Sequence, residues 1–433
     1  MATADHDLAA ALAAAEQRYI EAHPKSNQRH LEAAKVMPGG NTRTVLHFSP
    51  FPFAVVKGEG SKIHDIDGNI YTDFLGEFSA GLFGHSHPKI VTAATEGLKD
   101  GFSFGAPNMF EAEFAKLICD RFPSIDLVRF CNSGTEANMM AILTAKAATG
   151  RSKIMVFNGG YHGAVFKFAD GGSPTNAPFD FVVAAYNDME KTGALIDAHA
   201  KDLAVIIIEP VIGGGGCLPA DKAFLQMLRD KTRANGTVLI FDEVMTSRLS
   251  PGGIQQALGV TPDMTTLGKY LGGGFSFGAF GGSRELMGLY DPSRKDGFGH
   301  AGTFNNNTFS MRVGLTGLRD IYTPEAANEL SHTGDWFRSE LNRIASDRQV
   351  AMQVTGFGSM MSFHFQRGPI GSPEAVVNAN EKRALCHLEM LESGFSFARR
   401  GYMALSLALS KDDYDGFLGA FDKFTTDHTR LLQ

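Results

Sequence analysis

Apolar positions at helical spacing open the chain. Residues 5–22 carry an alanine-rich amphipathic pattern closed by His23-Pro24, and the same spacing returns over 27–36 before stopping at Met37-Pro38-Gly39-Gly40. Between Phe53 and Phe74 the text shortens to alternating segments, FAVVKG, SKIHDI and NIYTDF, separated by Gly58-Glu59-Gly60 and Asp67-Gly68-Asn69. Alternation broken by turn residues predicts a β-meander. Helices are predicted next at about 88–100 and 110–122.

From residue 126 the rhythm becomes apolar strand, glycine-bearing turn, helix, repeated. Strands are predicted at Leu127–Cys131, Lys153–Phe157, Phe181–Ala184, Leu203–Ile208, Val238–Phe241, Thr265–Leu267 and Gly278–Phe280, with helices at about 135–148, 189–200 and 221–235. Runs such as AVIII and VLIF show no alternation, as strands buried on both faces of a mostly parallel sheet require. Helices at 308–320 and 324–346 follow. The last part mixes short strands (MQVT, MSFHF, YMALSL) with helices near 375–392 and 411–430. The expected fold class is α/β: a large domain with a mostly parallel sheet flanked by helices, and a smaller α+β domain. The expected boundaries are 1–85, 86–323 and 324–433, with the two outer parts forming the small domain. Open sheets of this kind bind ligands beyond the carboxyl ends of their strands.

Composition narrows the function classes. Hydrophobic residues make up 43% and charged residues 20% of the 433, the profile of a globular protein. A net charge of −7 supplies no basic field for nucleic acid or an anionic membrane, so neither is expected as a partner. No stretch of ~18 apolar residues exists, and the first residues have neither the cationic start nor the apolar core of a signal peptide. The four cysteines match no metal or redox spacing, and the 14 histidines form no ligand set. A cytoplasmic setting and no metal are expected. The 49 glycines, about 11% against a usual ~7%, gather at the ends of apolar runs, as many strand-to-loop turns require.

Chemistry concentrates between Val238 and Gly282. The run VLIF delivers Asp242 and Glu243, and further on Lys269 stands between the apolar MTTL and the glycine-rich GGGFSFGAF. Burying a carboxylate or an ammonium is expensive unless each is paired. Desolvation also lowers a lysine pKa toward nucleophilic values. Lys269 therefore reads as a Schiff-base lysine for pyridoxal 5′-phosphate (PLP), and Asp242 as the partner of the pyridine nitrogen. Ser133, Gly134 and Thr135 follow a strand and open a helix, so their N–H groups and hydroxyls suit a phosphate. Tyr161 leaves the next strand between glycines and can lie flat on a heteroaromatic ring. Glu209 brings a third carboxylate to the same edge, either hydrogen-bonding near the cofactor ring or bracing the loop. Thr303, in Gly302-Thr303-Phe304-Asn305-Asn306-Asn307, offers another hydroxyl for the phosphate, from this chain or across a dimer interface. A Rossmann dehydrogenase is excluded, because no GxGxxG follows the first parallel strand.

SGTEAN, GGYHG, IIIEP, FDEVMTSR, TTLGKYLGGG and GTFNNN come in an order and spacing that resembles the class III (fold type I) PLP-dependent aminotransferases, over essentially the whole chain. DEVMT, and TLGK followed by three glycines, resemble the glutamate-1-semialdehyde aminomutase branch. PGGNTRTVLHFSPFPFAVVKGEG, SGTEANMMA, PFDF and GTFNNN resemble the aromatic β-amino acid (β-phenylalanine) aminotransferases. The resemblance implies PLP held by Ser133, Gly134, Thr135, Tyr161, Asp242 and Lys269. It implies a homodimer in which Thr303 reaches the neighbouring subunit's phosphate. It also implies Arg43 and Arg400 as binders of substrate carboxylates, with Arg399 the adjacent rival; a planar guanidinium grips a carboxylate bidentately. The implied activity is transfer of an amino group from a β-amino acid to a 2-oxo acid such as 2-oxoglutarate. The alternatives are a glutamate-1-semialdehyde-type 2,1-aminomutase or an amine (ω-) transaminase. The aminomutases carry SGN where this chain has Asn305-Asn306-Asn307, which speaks against that assignment.

Overall fold

A computed structural model describes residues 2–433, with side chains described from residue 6 onward apart from Asp170. Two helices lead the chain, α1 (Ala2–Ala22) and α2 (Pro24–Ala34). The meander forms as three antiparallel strands, β1 (Val55–Glu59), β2 (Lys62–Asp65) and β3 (Ile70–Asp73). Then come α3 (Pro88–Asp100), α4 (Met109–Arg121), β4 (Leu127–Cys131), α5 (Gly134–Thr149), β5 (Lys153–Phe157), β6 (Phe181–Ala184), α6 (Met189–Ala198) and β7 (Leu203–Ile208). A small hairpin, β8 (Val211–Ile212) and β9 (Leu218–Pro219), brackets Gly213–Gly216. The central part closes with α7 (Lys222–Asn235), β10 (Val238–Asp242), α8 (Gly253–Leu258), β11 (Met264–Gly268), β12 (Gly278–Gly282), α9 (Arg284–Met287) and α10 (Thr308–Asp320). The C-terminal part comprises α11 (Pro324–Asp347), β13 (Gln353–Phe357), β14 (Met360–His364), α12 (Asn380–Glu392), β15 (Phe395–Ser396), β16 (Tyr402–Ala404) and α13 (Lys411–Asp427).

The large sheet has seven strands in the order β4-β12-β11-β10-β7-β5-β6. Only β12 runs against the others, pairing antiparallel with both β11 and β4. All residues of β7, β10, β11 and β12 are buried, as their unalternating apolar text requires. Each fully buried aliphatic side chain there contributes about 1.5–3 kcal/mol. The termini meet: β15 pairs parallel with β3, Phe395 opposite Thr72, so the N-terminal meander and a late strand share one sheet. Beside it, β13, β14 and β16 form a separate antiparallel sheet. No described helix is long and apolar enough to cross a membrane.

Candidate active site

Five strands run the same way and stop at one edge, and each hands over a polar group there. Ser133 follows β4, Tyr161 follows β5, Glu209 follows β7, Asp242 ends β10 and Lys269 follows β11. Their assembly is a consequence of parallel strand direction.

Asp242 is buried, and its carboxylate is thoroughly held. Oδ2 accepts from Asn138 Nδ2 at 2.8 Å and from His162 Nδ1 at 2.8 Å, while Oδ1 accepts from the Val244 N–H at 3.1 Å. The Thr266 hydroxyl has one proton and gives it to Asn138 Oδ1 at 2.6 Å, which fixes which way that amide faces. A carboxylate only accepts, so His162 carries its proton on Nδ1, and its buried Nε2 has no partner among the described residues. Neither Asn138, His162 nor Thr266 stands out in the sequence as a functional residue. Helical spacing places Asn138 one turn after Gly134, and that is the signal that points to it.

Lys269 sits at the start of a tight turn with φ 54°, directly after the extended Gly268. Burial lowers its pKa to about 8; Arg400 adds to the shift and Arg43 contributes less, while Asp242 and Glu209 oppose it. The ammonium donates to the carbonyl of Phe78. Glu209 is buried and pushed up to about 7, first by desolvation and then by Asp242. Its two oxygens accept the N–H groups of Tyr161 (2.9 Å) and Gly213 (3.2 Å), so it ties the Gly159–Gly163 turn to the hairpin loop. Tyr161 remains 48% exposed in the cleft, close enough to Glu209, Arg43, Asp242 and Arg400 to feel each of them.

At the start of α5, Ser133 caps the helix by accepting the Glu136 N–H at 3.1 Å. Thr135 Oγ1 accepts the Ala164 N–H at 3.2 Å. A Cβ on Gly134 would meet Val244 Cγ1 at 2.8 Å, and one on Gly163 would meet Thr135 Oγ1 at 2.4 Å. Glycine is the only residue that lets these three segments close into a cradle.

Arg43 and Arg400 come from opposite ends of the chain and meet at one ring. Their guanidinium carbons lie 5.5 and 5.4 Å from the centroid of Phe78, and Arg400 is also 5.5 Å from Tyr402. Arg43 pairs with Glu77 at 3.2 Å. Arg399 turns away to the Ser49 carbonyl at 2.9 Å, leaving Arg400 as the arginine in the cleft. Phe78 and Glu77 went unnoticed in the sequence, because nothing in LGEFSA marks a binding element. Thr303 is exposed in the loop before α10. That loop is anchored beside the cradle by Asn132 Nδ2 donating to Asn305 Oδ1 at 2.9 Å.

The donor set fits PLP. A capped helix N-terminus with glycines suits the phosphate, a held carboxylate suits a protonated pyridine nitrogen, and a desolvated lysine suits the aldehyde.

The model of the class III aminotransferase family matches residues 47–423. The β-phenylalanine transaminase of Variovorax paradoxus is 45% identical over 98% of this chain and 97% of its own. The crystal structure of a β-phenylalanine aminotransferase from Variovorax paradoxus superposes with a TM-score of 0.96 at 45% identity, covering 98% of this chain and 99% of that one. A glutamate-1-semialdehyde 2,1-aminomutase of Brevibacillus brevis is 36% identical over 90% of this chain and 95% of its own. With the matched model spanning most of its length, the chain belongs to the class III aminotransferases of fold type I, PLP-dependent transaminases.

Proposed function

We propose that this transaminase moves an amino group from a β-amino acid, aromatic and β-phenylalanine-like, to a 2-oxo acid such as 2-oxoglutarate. The observation that carries the reading is the pair of guanidiniums, Arg43 and Arg400, sharing the Phe78 ring beside Lys269. Two cationic seats suit a donor and an acceptor that both carry carboxylates. In a β-amino acid the carboxylate lies one carbon further from the reacting centre, and Arg43 answers to that position. Arg400 takes the distal carboxylate of the acceptor. The similarity to the Variovorax enzyme supports the same donor class.

When bound, PLP supplies an electron sink for the carbanion that forms as the amine-bearing carbon loses its proton. Lys269 Nζ, its pKa lowered to about 8 by burial, would take that proton from the amine-bearing carbon as general base and give it back as general acid. Asp242, held by Asn138 and His162, would partner the ring nitrogen with its carboxylate. Ser133, Gly134 and Thr135 would hold the phosphate at the α5 terminus and Tyr161 would stack on the ring, while Glu209 fastens the Tyr161 backbone. The division at 1–85, 86–323 and 324–433 belongs to the same reading, supported by the pairing of β15 with β3. So does a homodimer in which Thr303 reaches the neighbour's phosphate. Four unpaired cysteines support a reducing compartment, taken as the cytoplasm.

A panel of β- and α-amino acids, assayed with and without 2-oxoglutarate, tests the reading. Turnover with aromatic β-amino acids should need the acceptor; conversion without it would indicate an aminomutase. Arg43→Ala should raise KM for β-amino acids about 10–100-fold and affect amines lacking a carboxylate far less. Equal losses for both would remove Arg43 from carboxylate binding.

A further inference from the structure

Arg248, in DEVMTSR, is only 1% exposed, and the titratable groups that bear on it are tyrosines, with no carboxylate among them. A buried guanidinium without a counter-charge is expensive, and an apolar residue of similar size would pack more favourably. What only arginine supplies is a rigid fork of donors. Nε donates to Ser359 Oγ at 3.1 Å, Nη1 to the Ser79 carbonyl at 3.3 Å, and Nη2 to the Leu405 carbonyl. The residue's own carbonyl accepts from the Tyr322 hydroxyl, which fixes the root of the side chain. These acceptors lie after β3, between β13 and β14, and after β16. One side chain, six positions past Asp242, therefore fastens the edge of the large sheet to both terminal parts of the chain.

The Ser79 carbonyl closes an unusual turn. Gly76, Glu77, Phe78 and Ser79 have φ of 52°, 50°, 54° and 79°, four successive residues in the left-handed region. Three of them bear side chains that disfavour it, so the turn persists only because its surroundings hold it. Its entrance is held by Asp73 Oδ1, which accepts the N–H groups of Leu75 (2.8 Å) and Gly76 (3.0 Å); Asp73 Oδ2 is bound in turn by His85. Its exit is held by Arg248. The turn presents two things to the cleft: the ring on which Arg43 and Arg400 lie, and the carbonyl to which Lys269 donates.

We propose that Arg248 is a positioning residue for substrate recognition: by holding the left-handed Gly76–Ser79 turn, it sets the Phe78 ring, and through it Arg43 and Arg400, in register with Lys269 and Asp242. The proposal rests on the assignment of Arg43 and Arg400 to substrate carboxylates. It accounts for a buried charge that helps neither packing nor cofactor binding.

Arg248→Met and Arg248→Lys holoenzymes test it. PLP content, read from visible absorbance, should stay near one per chain, since none of the cradle residues touches Arg248. In Arg248→Met the KM for both the β-amino acid and 2-oxoglutarate should rise about tenfold or more, with partial recovery in Arg248→Lys, because displacements of about 1 Å at a reacting site cost up to ~100-fold. A residue that merely stabilised the fold would lower the fraction of active protein and leave the KM of that fraction unchanged; this result overturns the proposal. Should Arg248→Met fail to fold, Arg248→Lys and Phe78→Leu decide. Phe78→Leu keeps the carbonyl but removes the shared ring, and an unchanged KM for both substrates in it would equally overturn the proposal. Arg43→Ala and Arg400→Ala separate the two levels. If they leave KM unchanged, the carboxylate assignment itself fails; if they raise it while Arg248→Lys and Phe78→Leu do not, only the positioning role fails.

Discussion

Lys269 and Asp242 draw attention in the sequence because each is a charge set in apolar text. Their supports do not. Asn138, Thr266 and His162 are ordinary polar residues until the helix, the strand and the turn bring them to one carboxylate. The lysine yields a pH-dependent prediction. Desolvation, with Arg400 beside it, depresses the Lys269 pKa to about 8. Only the neutral amine attacks an aldehyde, so capture of PLP by the cofactor-free protein should speed up with rising pH and level off above about 8. A rate that keeps climbing toward pH 10, as for an unperturbed lysine, would contradict this. After borohydride reduction the cofactor should remain attached to the parent protein and be lost from Lys269→Ala.

At the scale of elements, the central strands β7 and β10 are visible as unalternating apolar runs, since burial on both faces demands that text. The left-handed turn at Gly76–Ser79 is invisible, because Glu, Phe and Ser seldom adopt positive φ and nothing local requires it there. Strand β15 is equally hidden: two residues pair with β3 only because the termini come together. A glycine comparison probes the turn. A Cβ on Gly76 would lie 2.3 Å from the Ala404 carbonyl, whereas Gly68, with φ 99°, has nothing within 4 Å. Gly68→Ala should therefore cost roughly 1–2 kcal/mol of backbone strain alone. Gly76→Ala should cost about 2–5 kcal/mol, strain plus steric overlap, with a correspondingly larger fall in Tm by calorimetry. Similar falls for the two would show that the approach to β16 is not tight.

At the scale of the whole molecule, the proposed homodimer makes a prediction about one surface. Phe102 (55% exposed) and Phe275 form an apolar patch in which their rings lie 5.6 and 5.4 Å from that of Phe309. The patch adjoins the loop that holds Thr303 out to solvent beside the α5 cradle. Exposed aromatic surface of this kind marks interfaces. A dimer is the expected species in sedimentation. Phe102→Asp should shift the protein toward monomer and weaken PLP retention; monomer formation with undiminished PLP affinity would show that each chain completes its own phosphate site.

The sequence alone determined the chemistry and the sheet. The order of the strands along the chain and the mostly parallel sheet follow from local pattern, and parallel direction brings Ser133, Tyr161, Glu209, Asp242 and Lys269 to one edge. Tertiary structure alone decided what faces that edge. Arg43 and Arg400 are 357 positions apart in the chain, and no local pattern records that they share the ring of Phe78. The physical reason is range. Hydrophobic periodicity reports which face of an element is buried, whereas a shared ring, a left-handed turn and a guanidinium spanning three segments exist only when distant elements have packed.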